Sequence, residues 1–518
     1  MEFISALLEK VFAFVTPVSD WLWDFPTNYE WWSNIPFLGN FALSTLLLVG
    51  TGIYFTFRLR FVQVRYFKKG WQMITSRKKA KTGLSAFAAF MLSTAMRIGA
   101  GNIVSVTGAI AIGGPGALFW MWISAFFGMA TCYVESTMAQ IFKKKEGDGF
   151  VGGLPYYGRK LFKDSVFIGV LLSVVYIVYA FTSMPSAGFH TTTAIGTIAE
   201  LVTGSTIAAG SAFYWIVAII LLALLTIIAF GGLKKVSQVS DATVPVMAIV
   251  YIVTVLILVI FNINRIPFFF QAVFGGAFKP DAMFGGAFGV ALMQGVKRGL
   301  SSNEAGQGTI TMSAAAAVTK DPCEQGILES FGVFVDTIVI CTLTGFVVVM
   351  GQAWLGEGSE AWFAMDKFPK FVASVAELTP GTAFNIVSTI LVSICYGLFA
   401  FTCLLGFTSF SEMCAARINP SKNNIIFVRI LSILVLAFGL LSRVAGYTMD
   451  NLWAITDLGN IMIVYFNLPL LWMGFKSVLT ATKHYDKHDG TQFTQEMIGM
   501  KLDYWHEGDV EKDAIGEN

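Results

Sequence analysis

The chain has 518 residues, 55% of them hydrophobic and 13% charged, with a net charge of +2 at pH 7. Its mean hydropathy is +0.67. A soluble domain carries about 25% charged residues, so this composition excludes a single water-soluble core and requires lipid as solvent for much of the chain. The near-neutral charge leaves no footprint for a nucleic-acid partner. Six cysteines lie in or beside apolar runs without a C-x-x-C pair, which argues against disulfides and zinc.

Residues 1–36 have no basic start and no small-residue cleavage site, so they are not read as a signal peptide. They mix Trp21, Trp23, Trp31 and Trp32 with acidic residues and read as an extracellular interfacial segment. A membrane-spanning helix needs about 20 mostly apolar residues, and about eleven stretches qualify. The first, 37–58, is an extra helix, followed by core helices 1 to 10 at 84–112, 116–142, 165–199, 211–230, 242–262, 282–300, 326–351, 382–413, 425–442 and 452–475.

Basic residues gather in alternate connections: Arg58 to Lys81, Lys143 to Lys145, Lys234 and Lys235, Lys297 and Arg298 with Lys320, and Arg417 with Lys422. The positive-inside rule makes these cytoplasmic, placing the N-terminus outside and the C-terminus inside. The expected organisation is therefore 1–36 outside, 37–82 extra helix and basic loop, 83–262 and 263–475 two halves, and 476–518 a cytoplasmic tail. The acidic and basic segment 353–380 predicts a short helical hairpin over the outer side.

Core helix 1 carries Gly99-Ala100-Gly101-Asn102 mid-span, and core helix 6 carries Phe284-Gly285-Gly286-Ala287-Phe288-Gly289. Each glycine weakens a helix by roughly 1 kcal/mol relative to alanine. Unwound backbone at membrane depth must face protein or a water-filled cavity. Matched breaks in the first helix of each five-helix half are the best sequence pointer to a transporter site. A broken helix offers N–H groups to a carboxylate and carbonyls to a small cation, which together suit an amino acid and sodium. Arg97, Glu135, Asp336, Asp457 and Asn460 are polar at membrane depth, where such residues serve a function or a partner. His190 reads as a packed polar residue.

At these residues the chain resembles the alanine or glycine:cation symporter family. The resemblance rests on Gly99-Ala100-Gly101-Asn102-Ile103, the run Gly113-Gly114-Pro115-Gly116-Ala117-Leu118-Phe119-Trp120-Met121-Trp122, and Arg298-Gly299-Leu300-Ser301-Ser302-Asn303-Glu304-Ala305-Gly306. Gly231-Gly232-Leu233-Lys234, Val244-Pro245-Val246-Met247 and Phe399-Ala400-Phe401-Thr402 extend it over roughly residues 40 to 475. It implies an all-α polytopic membrane protein with a five-plus-five inverted repeat of the leucine-transporter kind, with core helices 1 and 6 discontinuous. It implies a multi-pass protein of the cell (inner) membrane, acting as a monomer in lipid, that couples uptake of a small neutral amino acid to sodium by alternating access, without an organic cofactor.

The resemblance further implies a sodium site at Ala95, Ile98, Phe399, Thr402 and Cys403. The amino acid would meet Gly99, Ala100, Gly101 and Asn102, with Ser186, Gly285, Phe288, Gly289 and Phe407 around it. Arg97, Lys297, Arg298 and Glu304 are candidate gates. The sequence departs from the family pattern at Ala100, Ser186, Cys403 and Phe407, where threonine, glutamine, a hydroxyl residue and tryptophan are common. A proton-coupled carrier, or one for another amino acid, is the alternative on the same fold, and an ion channel a more distant one. The chain contains no H-E-x-x-H, G-x-S-x-G or P-loop, so it reads as no enzyme.

Overall fold

A computed structural model describes residues 2–35, 38–76, 83–230, 232–278, 288–487 and 490–512. The described residues are overwhelmingly helical, as lipid requires, because a helix satisfies its own backbone groups. The principal helices are α1 (Glu2–Asp24), α2 (Leu43–Arg58), α3 (Ala86–Arg97), α4 (Gly101–Gly113), α5 (Gly116–Ile141), α6 (Val166–Thr203), α7 (Ala212–Ala229), α8 (Gly232–Phe261) and α9 (Ile266–Phe278). Then come α10 (Phe288–Asn303), α11 (Thr311–Ala316), α12 (Pro322–Val333), α13 (Thr342–Gly351), α14 (Lys367–Glu377), α15 (Thr382–Ile418), α16 (Lys422–Val444) and α17 (Met449–Lys487).

Eight helical stretches among the described residues are long and apolar enough to cross a membrane: Ala86–Gly113, Gly116–Ile141, Val166–Thr203, Gln238–Phe261, Pro322–Gly351, Thr382–Ile418, Lys422–Val444 and Met449–Lys487. Leu43–Arg58 and Ala212–Ile228 are shorter apolar helices. All ten fall on stretches expected from the sequence. The segment 353–380 folds as two short helices, Ser359–Ala364 and α14.

Ser85 caps α3 by accepting from the Ala88 N–H at 3.1 Å. At the far end Ile98 leaves the helix with ψ 79, and α4 resumes at Gly101. Gly116 allows α5 to cross α9 closely, since a Cβ there would lie 2.2 Å from the Gly276 carbonyl carbon. Leu84–Ser85, just before α3, pairs in parallel with Ala317–Val318, just after α11. The start of α3 and the end of α11 therefore share one face of the molecule.

Three expectations meet further detail in the structure. First, the expected interruption at Phe284–Gly289 falls mostly outside the described residues. Positions 284–287 lie outside the described residues, and Phe288 and Gly289 begin a regular helix. Among the described residues an interruption falls between α10 and α11, where Glu304 (φ 57), Gly306 (φ 89) and Gly308 (φ 75) adopt left-handed conformations. Gly306-Gln307-Gly308 repeats the Gly-x-Gly spacing of residues 99–101, and two such glycines permit the turn. Second, Lys297 and Arg298 do not sit in a basic loop. They lie inside α10, ahead of the interruption, and pair with a carboxylate of α17. Third, residues 2–24, expected as part of an interfacial segment, form one helix. It packs on α17, and Trp23 is buried with its indole N–H donating to the Asp457 carbonyl at 2.8 Å.

The segment after α17 folds back onto the face that carries the strand pair. Lys143 Nζ donates to Gln140 Oε1 at 2.8 Å and to the Ala317 carbonyl at 3.0 Å. Around it stand the rings of Phe150, Tyr504 and Trp505, 4.0, 5.0 and 4.8 Å away. Trp505 is fully buried and its indole N–H donates to the Gln140 carbonyl at 2.8 Å. Trp505→Ala should cost about 3–5 kcal/mol, as for other buried aromatics. Thermal unfolding in detergent reads this as a lower midpoint, and an unchanged midpoint would show that the segment does not hold this face.

Candidate functional site

Both interruptions open onto a single cavity of about 80 Å³. One water needs about 10–15 Å³ on that scale, so the space takes a small solute. Gly99, Ala100 and Gly101 form one wall, Ser301 and Glu304 the next. Tyr179, Ser183, Ser186 and His190 of α6 face them, with Cys403 and Phe407 of α15 and Trp453, Thr456, Asp457 and Asn460 of α17.

At the first interruption the Asn102 and Ile103 N–H groups close onto the Gly99 and Ala100 carbonyls at 3.1 and 3.0 Å. The N–H groups of Ala100 and Gly101 stand at the helix start without an intrahelical acceptor, beside the cavity. The α4 dipole puts positive potential there. A carboxylate fits this corner.

The expected substrate residues divide. Gly99, Ala100, Gly101, Ser186 and Phe407 line the cavity. Asn102 does not. Its Oδ1 accepts from the Gly99 N–H at 2.8 Å and its Nδ2 donates to Asp336 Oδ1 at 2.6 Å. It therefore holds the interruption in shape from behind. Gly289 lies 12 residues before Ser301 on the same helix, about 18 Å by the helical rise, and does not line the cavity; Phe288 precedes it. Gly285 is outside the described residues.

The expected sodium residues meet where α3 passes α15. Thr402 Oγ1 lies 3.2 Å from the Ala95 carbonyl and 3.1 Å from the Phe399 carbonyl. Cys403 Sγ lies 3.5 Å from the Ala95 carbonyl and 3.2 Å from that of Met96. Ile98 is buried at the turn that ends α3. Three oxygens here suit a hard cation, whereas the sulfur is a poor ligand. Gly99 is required at this crossing, because a Cβ would stand 2.8 Å from Cys403 Sγ.

Carboxylates organise the backbone behind the cavity. Asp336 sits in a π-helical segment, Phe334–Cys341, of the kind often found at functional sites. Besides Asn102 it accepts from Ser302 Oγ and Thr337 Oγ1, each at 2.8 Å. One carboxylate thus ties the first interruption to the second. Glu135 Oε2 accepts from the Gly306 and Gly308 N–H groups at 3.2 and 3.0 Å and from Asn467 Nδ2 at 3.2 Å. Glu304 accepts from Tyr179 at 2.9 Å and Thr309 at 2.7 Å.

The four candidate gates have distinct surroundings. Arg97 lines the cavity yet is almost wholly buried, bonded to Glu329 at 2.8 Å, and Ser93 and Gln325 hold the same carboxylate. Arg298 and Lys297 both reach Asp457, at 3.0 and 3.1 Å. The Arg298 guanidinium lies 4.0 Å from the Trp453 ring centre, and Lys367 of α14 lies 3.8 Å from it. These groups roof the cavity on the side away from the strand pair. Glu304 belongs to the cavity wall itself.

Sequence reasoning singled out Asp457 and Asn460 only as polar residues at membrane depth. Trp453, Thr456, Asp457 and Asn460 recur at the i, i+3, i+4, i+7 spacing of one helical face, a signal that was present. Tyr179 and Ser183 had no such mark. His190 is buried and hydrogen-bonded to Tyr396, as a packed polar residue would be.

The fold defines a class first. It is similar to the solved structure of MhsT in complex with L-phenylalanine, a transporter of the leucine-transporter fold, with a TM-score of 0.52 at 13% identity over 78% of this chain and 93% of that one. The sodium:alanine symporter family model matches residues 31–498. The chain is 35% identical over 452 residues to the probable sodium/glutamine symporter GlnT of Bacillus subtilis, covering 86% of this chain and 88% of that protein. It is 31% identical over 456 residues to the sodium/alanine symporter AgcS of Methanococcus maripaludis, covering 85% and 94%. The chain belongs to the sodium:alanine symporter family. It is a multi-pass membrane protein and a sodium-coupled amino-acid transporter, not an enzyme.

Breaking a buried ion pair from one side costs about 3–5 kcal/mol because the other charge is left unpaired. Glu329→Gln should therefore lower the unfolding midpoint strongly, and adding Arg97→Met should restore part of the loss. A double-mutant cycle in detergent measures both, and strictly additive effects would mean the two charges do not act as a pair.

Proposed function

We propose that this chain couples uptake of a small neutral amino acid to an inward sodium gradient by alternating access. The observation that carries the reading is the interruption at Ile98–Gly101. On one side it turns free N–H groups toward the cavity, and on the other it brings the Ala95 carbonyl against Thr402. The carboxylate of the amino acid binds the Ala100 and Gly101 N–H groups. Sodium binds between α3 and α15 at the Ala95, Ile98 and Phe399 carbonyls and Thr402, with Cys403 alongside. Asn102 acts through the backbone it caps. Because one short segment serves both ligands, each bound ligand orders the backbone that the other needs, and this couples them.

In this reading the face with the strand pair and Lys143 is cytoplasmic, in keeping with the basic residues gathered there. The N-terminus is outside, and the protein functions in the cell membrane as a monomer with about eleven helices in two inverted halves, 83–262 and 263–475. The Arg298–Asp457 pair and Trp453 close the outer path, and α14 lies over them. Arg97, at the cavity wall, is held by Glu329 and braces helices α3 and α12.

Purified protein in liposomes tests this. Labelled alanine should accumulate above its outside concentration with an inward sodium gradient and not with potassium in its place. Non-saturating flux without accumulation would refute the carrier reading. Asn102→Ala should cut accumulation at least tenfold in protein that still elutes as a single species, and wild-type uptake would remove Asn102 from the site. Thr402→Ala should raise the sodium concentration for half-maximal uptake, whereas an unchanged sodium dependence would place the cation elsewhere.

A further inference from the structure

We infer that the wall of the cavity opposite the Gly99–Gly101 interruption is a subsite for a neutral polar side chain. The substrate it favours ends in a carboxamide or a hydroxyl rather than in the methyl of alanine. The inference rests on the transport reading above and assigns the part of the site that reading leaves open.

Two observations carry it. The first is Asn460. It is 5% exposed and lines the cavity, yet no described residue hydrogen-bonds its side chain. A buried primary amide without a partner costs about 1–3 kcal/mol, and nearly all such groups in native proteins are satisfied. An amide at a cavity wall offers two donors and one acceptor to whatever occupies the space. One turn away on the same face of α17, Thr456 Oγ1 donates to Ser186 Oγ at 3.0 Å. Ser186 in turn donates to the Ser183 carbonyl at 2.9 Å. This hydroxyl pair has acceptor capacity left over. A purely apolar side chain would leave the Asn460 amide without a partner and the spare acceptor capacity of the hydroxyl pair unused.

The second observation is where the charges go. Asp457 is met by Arg298 and Lys297. Arg97 is met by Glu329. The Glu304 oxygens are held by Tyr179 and Thr309. The open hydrogen-bonding capacity at the α6 and α17 wall is therefore neutral, which disfavours an ammonium or carboxylate side chain there. The room on this wall comes from the short side chain of Ser186, beside Thr456 and Asn460. The space for a longer side chain and the groups that would bind it lie on the same wall.

A site built to hydrogen-bond a substrate group rejects analogues that lack it, because its own groups are then stranded. The test is competition against sodium-driven uptake of labelled alanine by the full chain in liposomes, using near-isosteric pairs: glutamine against methionine, threonine against valine, serine against α-aminobutyrate. At least one polar member should compete about tenfold better than its apolar partner. Asn460→Leu should shrink that ratio severalfold, and Thr456→Val should shrink it for the hydroxyl amino acids. If Asn460→Leu does not transport, the same ratios are read from sodium-dependent protection of the detergent-purified variants against thermal unfolding. Equal competition within every pair overturns the subsite, as does a ratio that survives both substitutions. Better competition by glutamate or lysine than by glutamine also overturns it. Sodium-driven alanine uptake with no polar preference would sink this inference alone, while absence of sodium-driven accumulation of any amino acid would sink the transport reading and this one with it.

Discussion

Backbone that leaves a helix inside a membrane must find partners in the protein, and that constraint organises this molecule. Two interruptions, at Ile98–Ala100 and Glu304–Ile310, strand N–H and C=O groups far from bulk water. Side chains answer most of them. Asn102 takes the Gly99 N–H, and Glu135 takes those of Gly306 and Gly308. Asp336 then joins the two interruptions through Asn102 and Ser302. The Ala100 and Gly101 N–H groups are left over beside the cavity.

The buried charges follow from the same constraint. A carboxylate in a dry interior is costly unless it is well hydrogen-bonded or paired. Here Asp336 accepts three hydrogen bonds, and Glu135 accepts three at one oxygen. Arg97 and Glu329 neutralise each other. Arg97 and Asp457 both line the cavity, and the Arg298 guanidinium that meets Asp457 packs against Trp453. The Asp336 and Glu135 contacts, by contrast, hold the backbone of the interruptions themselves.

The two faces are closed by different parts of the chain. On the roof side stand α1, through Trp23, and α14, through Lys367. On the other face the segment beyond α17 covers the ends of α3, α5 and α11 through Trp505 and the ring-lined Lys143. None of these elements contributes a cavity-lining residue.

The sequence by itself determined the helices and much of the site. Apolar runs near the length of a bilayer can only be helices in lipid, so ten expected stretches recur in the structure. Gly99-Ala100-Gly101 marked the first interruption because helix propensity is a local property. Local propensity did not mark Gly306-Gln307-Gly308, because that turn depends on Glu135, far away in sequence, to accept its freed N–H groups. The positive-inside pattern read Lys297 and Arg298 as loop charges, since a sequence cannot show that Asp457, some 160 positions later, lies within 3.1 Å of both. Asn102 was legible as a site residue but not as one acting from behind the backbone. Which polar residues of α6 and α17 face the cavity was decided by tertiary packing alone, because a helix position acquires a ligand only when its neighbours leave a space in front of it.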